Sequence, residues 1–192
     1  MWRRVVSPCT GHRSPVRAHD TLVGPTGTGG WRLGRLLHFW RWPLGLKLLT
    51  PVAWVLIGIA SGLLIVVSFR RIAPLMGRNL GAAALLPIAD TSRLRRARLI
   101  GRAVTTAARF APFRADCLPQ AMAAVTLCRA FNVPYAAFLG ASMSTPDKPG
   151  ELAAHAWVQC GPVPVTGGTG NFHRFGVVAC FVSPGMGTGI KA

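Results

Sequence analysis

Between Leu48 and Phe69 no side chain carries a charge. Such a run passes the ~18-residue length at which an apolar helix becomes a membrane-span candidate. It leaves two homes for the segment, a bilayer or the interior of a helical domain, and hydropathy alone does not choose between them. Pro51 falls near the start of the helix, where a proline is tolerated. Gly58 and Gly62 form a small-xxx-small pair of the kind that admits a close neighbour. Arg41 and Lys47 precede the run and Arg70 and Arg71 follow it, so flanking charge assigns no orientation.

The charge distribution separates this part of the chain from the rest. Of 22 Lys+Arg and 5 Asp+Glu in 192 residues, eighteen basic and two acidic side chains lie in residues 1–114. Residues 115–192 hold four and three. The basic excess therefore belongs to the N-terminal segments, where it suits acidic peptide, anionic lipid or nucleic acid without distinguishing them. Residues 1–32, rich in Gly, Pro, Ser, Thr and Arg and without apolar periodicity, read as a disordered basic extension that the remainder of the chain does not need. Trp31, Phe39, Trp40 and Trp42 stand among Arg32, Arg35, Arg41 and Lys47. That pattern fits an amphipathic helix first, a membrane interface or base stacking second. No nucleic-acid reading module is recognisable.

Phe69 to Arg78 reads as a short helix or turn, followed by a small-apolar linker to Ala89. Asp90, Thr91 and Ser92 offer caps for a helix reaching about Phe110. Arg95, Arg98, Arg102 and Arg109 line one side of it, and Ile100, Ala103, Ala107 and Phe110 another. A solvated face is the ordinary meaning of such a stripe, and a docking face for acidic peptide the sharper one.

The chemistry lies further on, in Phe113-Arg114-Ala115-Asp116-Cys117-Leu118-Pro119-Gln120-Ala121 and Ala154-His155-Ala156-Trp157-Val158. Asp116 is a natural N-cap, which makes Cys117 the first residue of an apolar helix with Pro119 in its first turn. Unpaired N–H groups and the positive end of the helix dipole favour a thiolate at that place. In the second stretch the alternation predicts a strand with His155, Trp157 and Gln159 on one face and Ala156, Val158 and Cys160 on the other. A thiol at a helix start and a histidine on a following strand are the parts of a cysteine nucleophile and its base. His173 is a competing histidine, read as an exposed loop residue.

Cys9, Cys128, Cys160 and Cys180 read as free thiols in a reducing compartment, since no signal-peptide pattern follows Met1. No Cys/His spacing resembles a zinc site. The glycines from Gly167 to Gly170 lack the following helix of a phosphate loop, so no metal or cofactor is expected. After the Cys117 helix, ending near Asn132, come a strand from Tyr135 to Met143, a loop over residues 144–150, the His155 strand, a short strand from Val163 to Val165, and a last one from Gly176 to Val182. Helices first, then an antiparallel meander, make an α+β fold.

Residues 114–121 with residues 154–158 resemble the McjB-type transglutaminase-like cysteine protease of lasso-peptide biosynthesis, the leader peptidase of that system. The similarity extends loosely over about residues 33–182. It implies a transglutaminase/papain-like core over 111–192, preceded by a helical region over 33–110, with Cys117 as nucleophile and His155 as general base. It also implies cleavage of a ribosomally made precursor peptide, a separate leader-recognition protein and a macrolactam synthetase as partners. One departure stands out: the family's aspartate on the strand after the histidine is missing, and no Asp or Glu follows Glu151. Thr166, Asn171 or a backbone carbonyl remain to orient the imidazole. A non-catalytic scaffold that binds precursor or recognition protein, and a membrane-associated protein held through residues 48–69, are the rival readings.

Overall fold

The computed structural model describes residues 44–145, 148–168 and 172–184. The expected basic extension, and most of the Trp- and Arg-rich segment after it, lie outside that set. In chain order the described elements are helix α1 (Leu44–Val66), the single turn α2 (Phe69–Ile72) running into a 3-10 turn (Ala73–Met76), and a two-residue strand β1 (Arg78–Asn79). Helices α3 (Thr91–Arg109) and α4 (Cys117–Ala130) follow. Strands β2 (Ala136–Thr145), β3 (Lys148–Cys160) and β4 (Val163–Thr166), a 3-10 turn (Phe172–Arg174) and strand β5 (Gly176–Val182) complete the α+β fold.

Helix α3 starts as its sequence indicates: the Asp90 carboxylate accepts from the Arg93 N–H at 2.8 Å. Its buried side holds Ala97, Ile100, Ala103, Val104 and Ala107, while Arg95, Arg98, Arg102 and Arg109 are exposed. Phe110 departs from expectation. It is the C-cap residue, past the last turn, and is exposed. Gly101 lets α3 approach β4, because a methyl group there would lie 2.6 Å from the Val165 carbonyl oxygen.

The sheet has the order β1-β5-β2-β3-β4, all neighbours antiparallel. It differs from the expected meander: after β4 the chain returns across the sheet, and β5 pairs with β2 rather than with β4. The expected loop over 144–150 is largely absent as well. Thr145 pairs with Lys148 and Ser144 with Pro149, so β2 and β3 continue as a hairpin past a bulge at Ser142/Ser144. Turn-forming composition there is overridden by ladder pairing, and Pro149 is tolerated at a strand beginning. Strand β1 had no readable signal, since two residues carry no periodicity. It caps the β5 edge through Arg78↔Val182 and Asn79↔Phe181.

One core cluster joins Leu46, Leu49, Ala53 and Ile57 of α1 to α3, α4, and the Ala156, Val158 and Cys160 side of β3. Each large apolar side chain buried this way contributes roughly 1.5–3 kcal/mol. A smaller cluster on the other side of the sheet collects Phe138, Trp157, Cys180 and Val182. The two sides match the alternation read from the sequence. Behind β1, the buried Tyr135 hydroxyl donates to the Met76 carbonyl at 3.0 Å and accepts from Arg129 Nε at 2.7 Å.

Helix α1 is long and apolar enough to cross a membrane, with a mean hydropathy of 2.2. It is also part of the domain. Its Gly58 meets the ring of Phe113 rather than another helix, and Gly62 has open space beside it. Trp54 packs on Phe113 with ring centroids 5.4 Å apart, and the Ser61 hydroxyl donates to the Arg114 carbonyl at 3.1 Å. The loop leading to Cys117 is thus held by α1.

Candidate active site

Cys117 is the first residue of α4, after Asp116 in an extended N-cap conformation (φ −64°, ψ 173°). The Asp116 carboxylate makes no capping hydrogen bond and faces Arg114 instead, with Nε and Oδ2 3.7 Å apart. The turn is braced by Gln120, whose side-chain amide donates to the Ala115 carbonyl at 2.7 Å and whose backbone N–H donates to the Asp116 carbonyl. Pro119 has no N–H to leave unsatisfied in the first turn. Cys117 is buried, 6 % exposed, at the edge of α4 where the helix joins the main core cluster.

His155 comes from the middle of β3, opposite Gly140 of β2. Its Nε2 lies 2.9 Å from the Gly167 carbonyl oxygen. A carbonyl can only accept, so Nε2 carries the proton and, in the neutral ring, Nδ1 keeps its lone pair. His155 is also hydrogen-bonded to the Cys117 side chain. With Nε2 engaged by Gly167, Nδ1 is the nitrogen left for the thiol. Burial pulls the imidazole toward neutrality, but the hydrogen bond to Cys117, the Gly167 carbonyl and the Cys117 charge outweigh it and raise the His155 pKa above its ordinary value.

Aromatic rings limit how the imidazole can turn. Trp157 stacks beside it with centroids 5.8 Å apart and Phe175 packs at 5.1 Å. Trp157 is fixed in turn between Phe138 at 5.3 Å and Phe172 at 5.4 Å. Gly140 makes room for them, since a methyl group there would lie 2.8 Å from both Phe175 Cβ and the Trp157 ring.

The structure therefore brings together Cys117 and His155, the two residues picked from the sequence, and adds the main chain of Gly167. Of the other orienting candidates, Thr166 is buried with its hydroxyl unpartnered, and Asn171 lies outside the described residues. His173 belongs to the turn between β4 and β5, and its side chain lies outside the described set. The remaining described cysteines are buried free thiols. Burial, with the nearby Cys160, pushes the Cys128 thiol up to about 12, and burial likewise raises Cys160 and Cys180. Among the described residues no cluster of His, Cys, Asp and Glu side chains suits a metal ion.

Comparison with known families assigns the fold that carries this cysteine and histidine. The family model of the transglutaminase-like superfamily matches residues 63–180, more than half of the chain. The chain belongs to the transglutaminase-like superfamily. No curated protein and no solved structure gives a significant match. The transglutaminase-like match runs from the end of α1 to the middle of β5, and so contains Cys117, His155 and Gly167. This superfamily includes cysteine peptidases, whose chemistry uses a thiol and an imidazole, the two side-chain types that meet here.

Proposed function

We propose that the protein is a cysteine peptidase that removes the leader from a ribosomally made lasso-peptide precursor, with Cys117 as nucleophile and His155 as its base. The observation that carries the peptidase reading is the position of one imidazole between the Cys117 thiol and the Gly167 carbonyl. The narrower assignment to lasso-peptide maturation rests on the similarity of residues 114–121 and 154–158 to the leader peptidases. On this reading the partners are the precursor, a separate leader-recognition protein and a macrolactam synthetase that closes the ring of the released core. The free thiols suit the cytoplasm.

On this reading the chemistry is acyl transfer to water. Proton transfer to His155 leaves a Cys117 thiolate, which attacks the scissile carbonyl carbon. First-turn N–H groups of α4, without intrahelical acceptors, steady the oxyanion. The imidazolium then protonates the departing amine as the C–N bond breaks, leaving a thioester on Cys117. Water, deprotonated by the neutral His155, attacks the thioester, and the released sulfur closes the cycle. Throughout, Gly167 holds the ring in one tautomer, the task that an aspartate or asparagine performs in related triads.

The test is cleavage of the precursor by the purified protein together with its recognition partner. Cys117→Ala should abolish cleavage while leaving the melting temperature within a few degrees. Cleavage that survives this substitution removes Cys117 from the mechanism.

A further inference from the structure

Helix α1 is apolar on both sides. Leu46, Leu49, Ala53, Ile57 and Ala60 face the domain core. The opposite side presents Leu48, Val52, Val55, Ile59 and Val66, spaced by four, three, four and seven residues, with Leu48 72 % and Val66 84 % exposed. A surface helix of a water-soluble domain carries polar residues along such a stripe. This stripe holds none. The apolar surface continues past the helix, where Ile59 and Leu63 meet the exposed Leu75 and the side of Met122 around a hollow of about 160 Å³.

Charge indicates what covers it. Lys47 stands in the first turn of α1, and exposed Arg70 and Arg71 lie just beyond its end. From residue 21 to residue 89 the chain has seven basic and no acidic side chains. A second copy would set like charges together in either orientation: Lys47 against Arg70 and Arg71 if the helices were antiparallel, Lys47 against Lys47 if parallel. The chain's own segment before α1, with Arg32, Arg35 and Arg41, is no better matched. An anionic lipid surface complements the apolar stripe and its basic ends together. Phe39, Trp40 and Trp42, directly before the helix, are residue types enriched at the membrane–water interface.

We propose that the outer face of α1 docks on an anionic lipid bilayer, with the helix lying in the interface rather than spanning it. Spanning would require hydrocarbon around the whole circumference of α1. Its inner side, however, is packed against α3 and α4, and α3 carries the exposed Arg95, Arg98 and Arg102. Charged side chains of this kind are costly in the bilayer centre. Because α1 also grips Phe113 and Arg114, a docked domain keeps the Cys117 loop close to the lipid surface.

The full chain should co-sediment with phosphatidylcholine vesicles containing phosphatidylglycerol, weakly with phosphatidylcholine alone, and less as salt is raised. Val52→Ser combined with Val55→Ser and Ile59→Ser, all on the exposed stripe, should lower the partition coefficient by roughly tenfold or more. The circular-dichroism melt of that variant should stay close to the parent's. Alkaline carbonate should release the membrane-bound protein. Equal partitioning of parent and triple variant would overturn the proposal. So would resistance to carbonate, which indicates a spanning helix, or a dimer in detergent-free buffer that the same substitutions dissociate without any vesicle binding by the parent.

Discussion

Replacing Gly167 by alanine strikes the imidazole through its main-chain partner and touches neither Cys117 nor His155. Gly167 has φ +98°, where an L-residue is strained by about 1–3 kcal/mol. The new methyl group would also lie 2.2 Å from Trp157 Cβ, an atom fixed to the neighbouring strand. Reaching ordinary contact at 3.4 Å requires roughly 1.2 Å of movement. That exceeds the slack in a 2.9 Å hydrogen bond, which weakens steeply beyond about 3.2 Å. Hydrogen bonds to charged groups are worth ~1.5–3 kcal/mol, so the imidazolium–thiolate pair should be depopulated roughly ten- to hundredfold.

Alkylation of Cys117 by iodoacetamide reads that pair directly and needs no knowledge of the substrate. In a Cys9→Ser background the other thiols, Cys128, Cys160 and Cys180, are fully buried. The parent should alkylate at mildly acidic pH, where the pair supplies thiolate. Gly167→Ala should lose that acid-side reactivity by roughly tenfold or more and retain it above the ordinary thiol range. Gly168→Ala separates strain from displacement: at φ +80° it meets no neighbouring atom, so it should lower stability and leave the alkylation profile in place. An unchanged profile in a folded Gly167→Ala protein would refute the carbonyl's role. If that variant does not fold, nitrogen-15 shifts of His155 in the parent decide the matter, and an Nδ1–H tautomer refutes it equally.

The His155 pKa is raised above 6.5 in the folded protein, so its protonation stabilises the fold. That contribution is complete below 6.5 and fades as pH rises through the folded value. The difference in urea midpoint between parent and His155→Gln should therefore shrink from pH 5.5 to pH 8, about the span over which histidine titrates. Gly140→Val should force Trp157 and Phe175 apart, costing about 1–3 kcal/mol in urea unfolding and slowing Cys117 alkylation, because those rings hold the imidazole. Tyr135→Phe leaves the Met76 carbonyl and Arg129 without their shared hydroxyl, and should cost roughly 1–3 kcal/mol with no change in the pH dependence of alkylation.

The residues legible in the sequence are those marked out by the chemistry of their side chains. Asp116 before Cys117 marked a helix start because N-cap residue preference is local, and the α4 boundary fell there even though the carboxylate turns to Arg114 instead of capping. The alternation around His155 marked both sides of β3 because a strand has a strict two-residue period. Gly167 could not be read, since every residue has a carbonyl and only the fold determines which one meets an imidazole. A signal was present all the same: with no Asp or Glu after Glu151, the orienting group had to come from another chemistry, and a glycine directly after β4 is free to take the left-handed conformation that turns its carbonyl to His155. The same limit governs α1. Composition reports how apolar a helix is, not which half of its circumference the domain has covered. The packing of Ala53 and Ile57 against the core, with Leu48 and Val66 left outside, separates the two sides of α1: one narrow face belongs to the domain core, and the exposed apolar remainder is the surface on which the lipid-docking proposal rests.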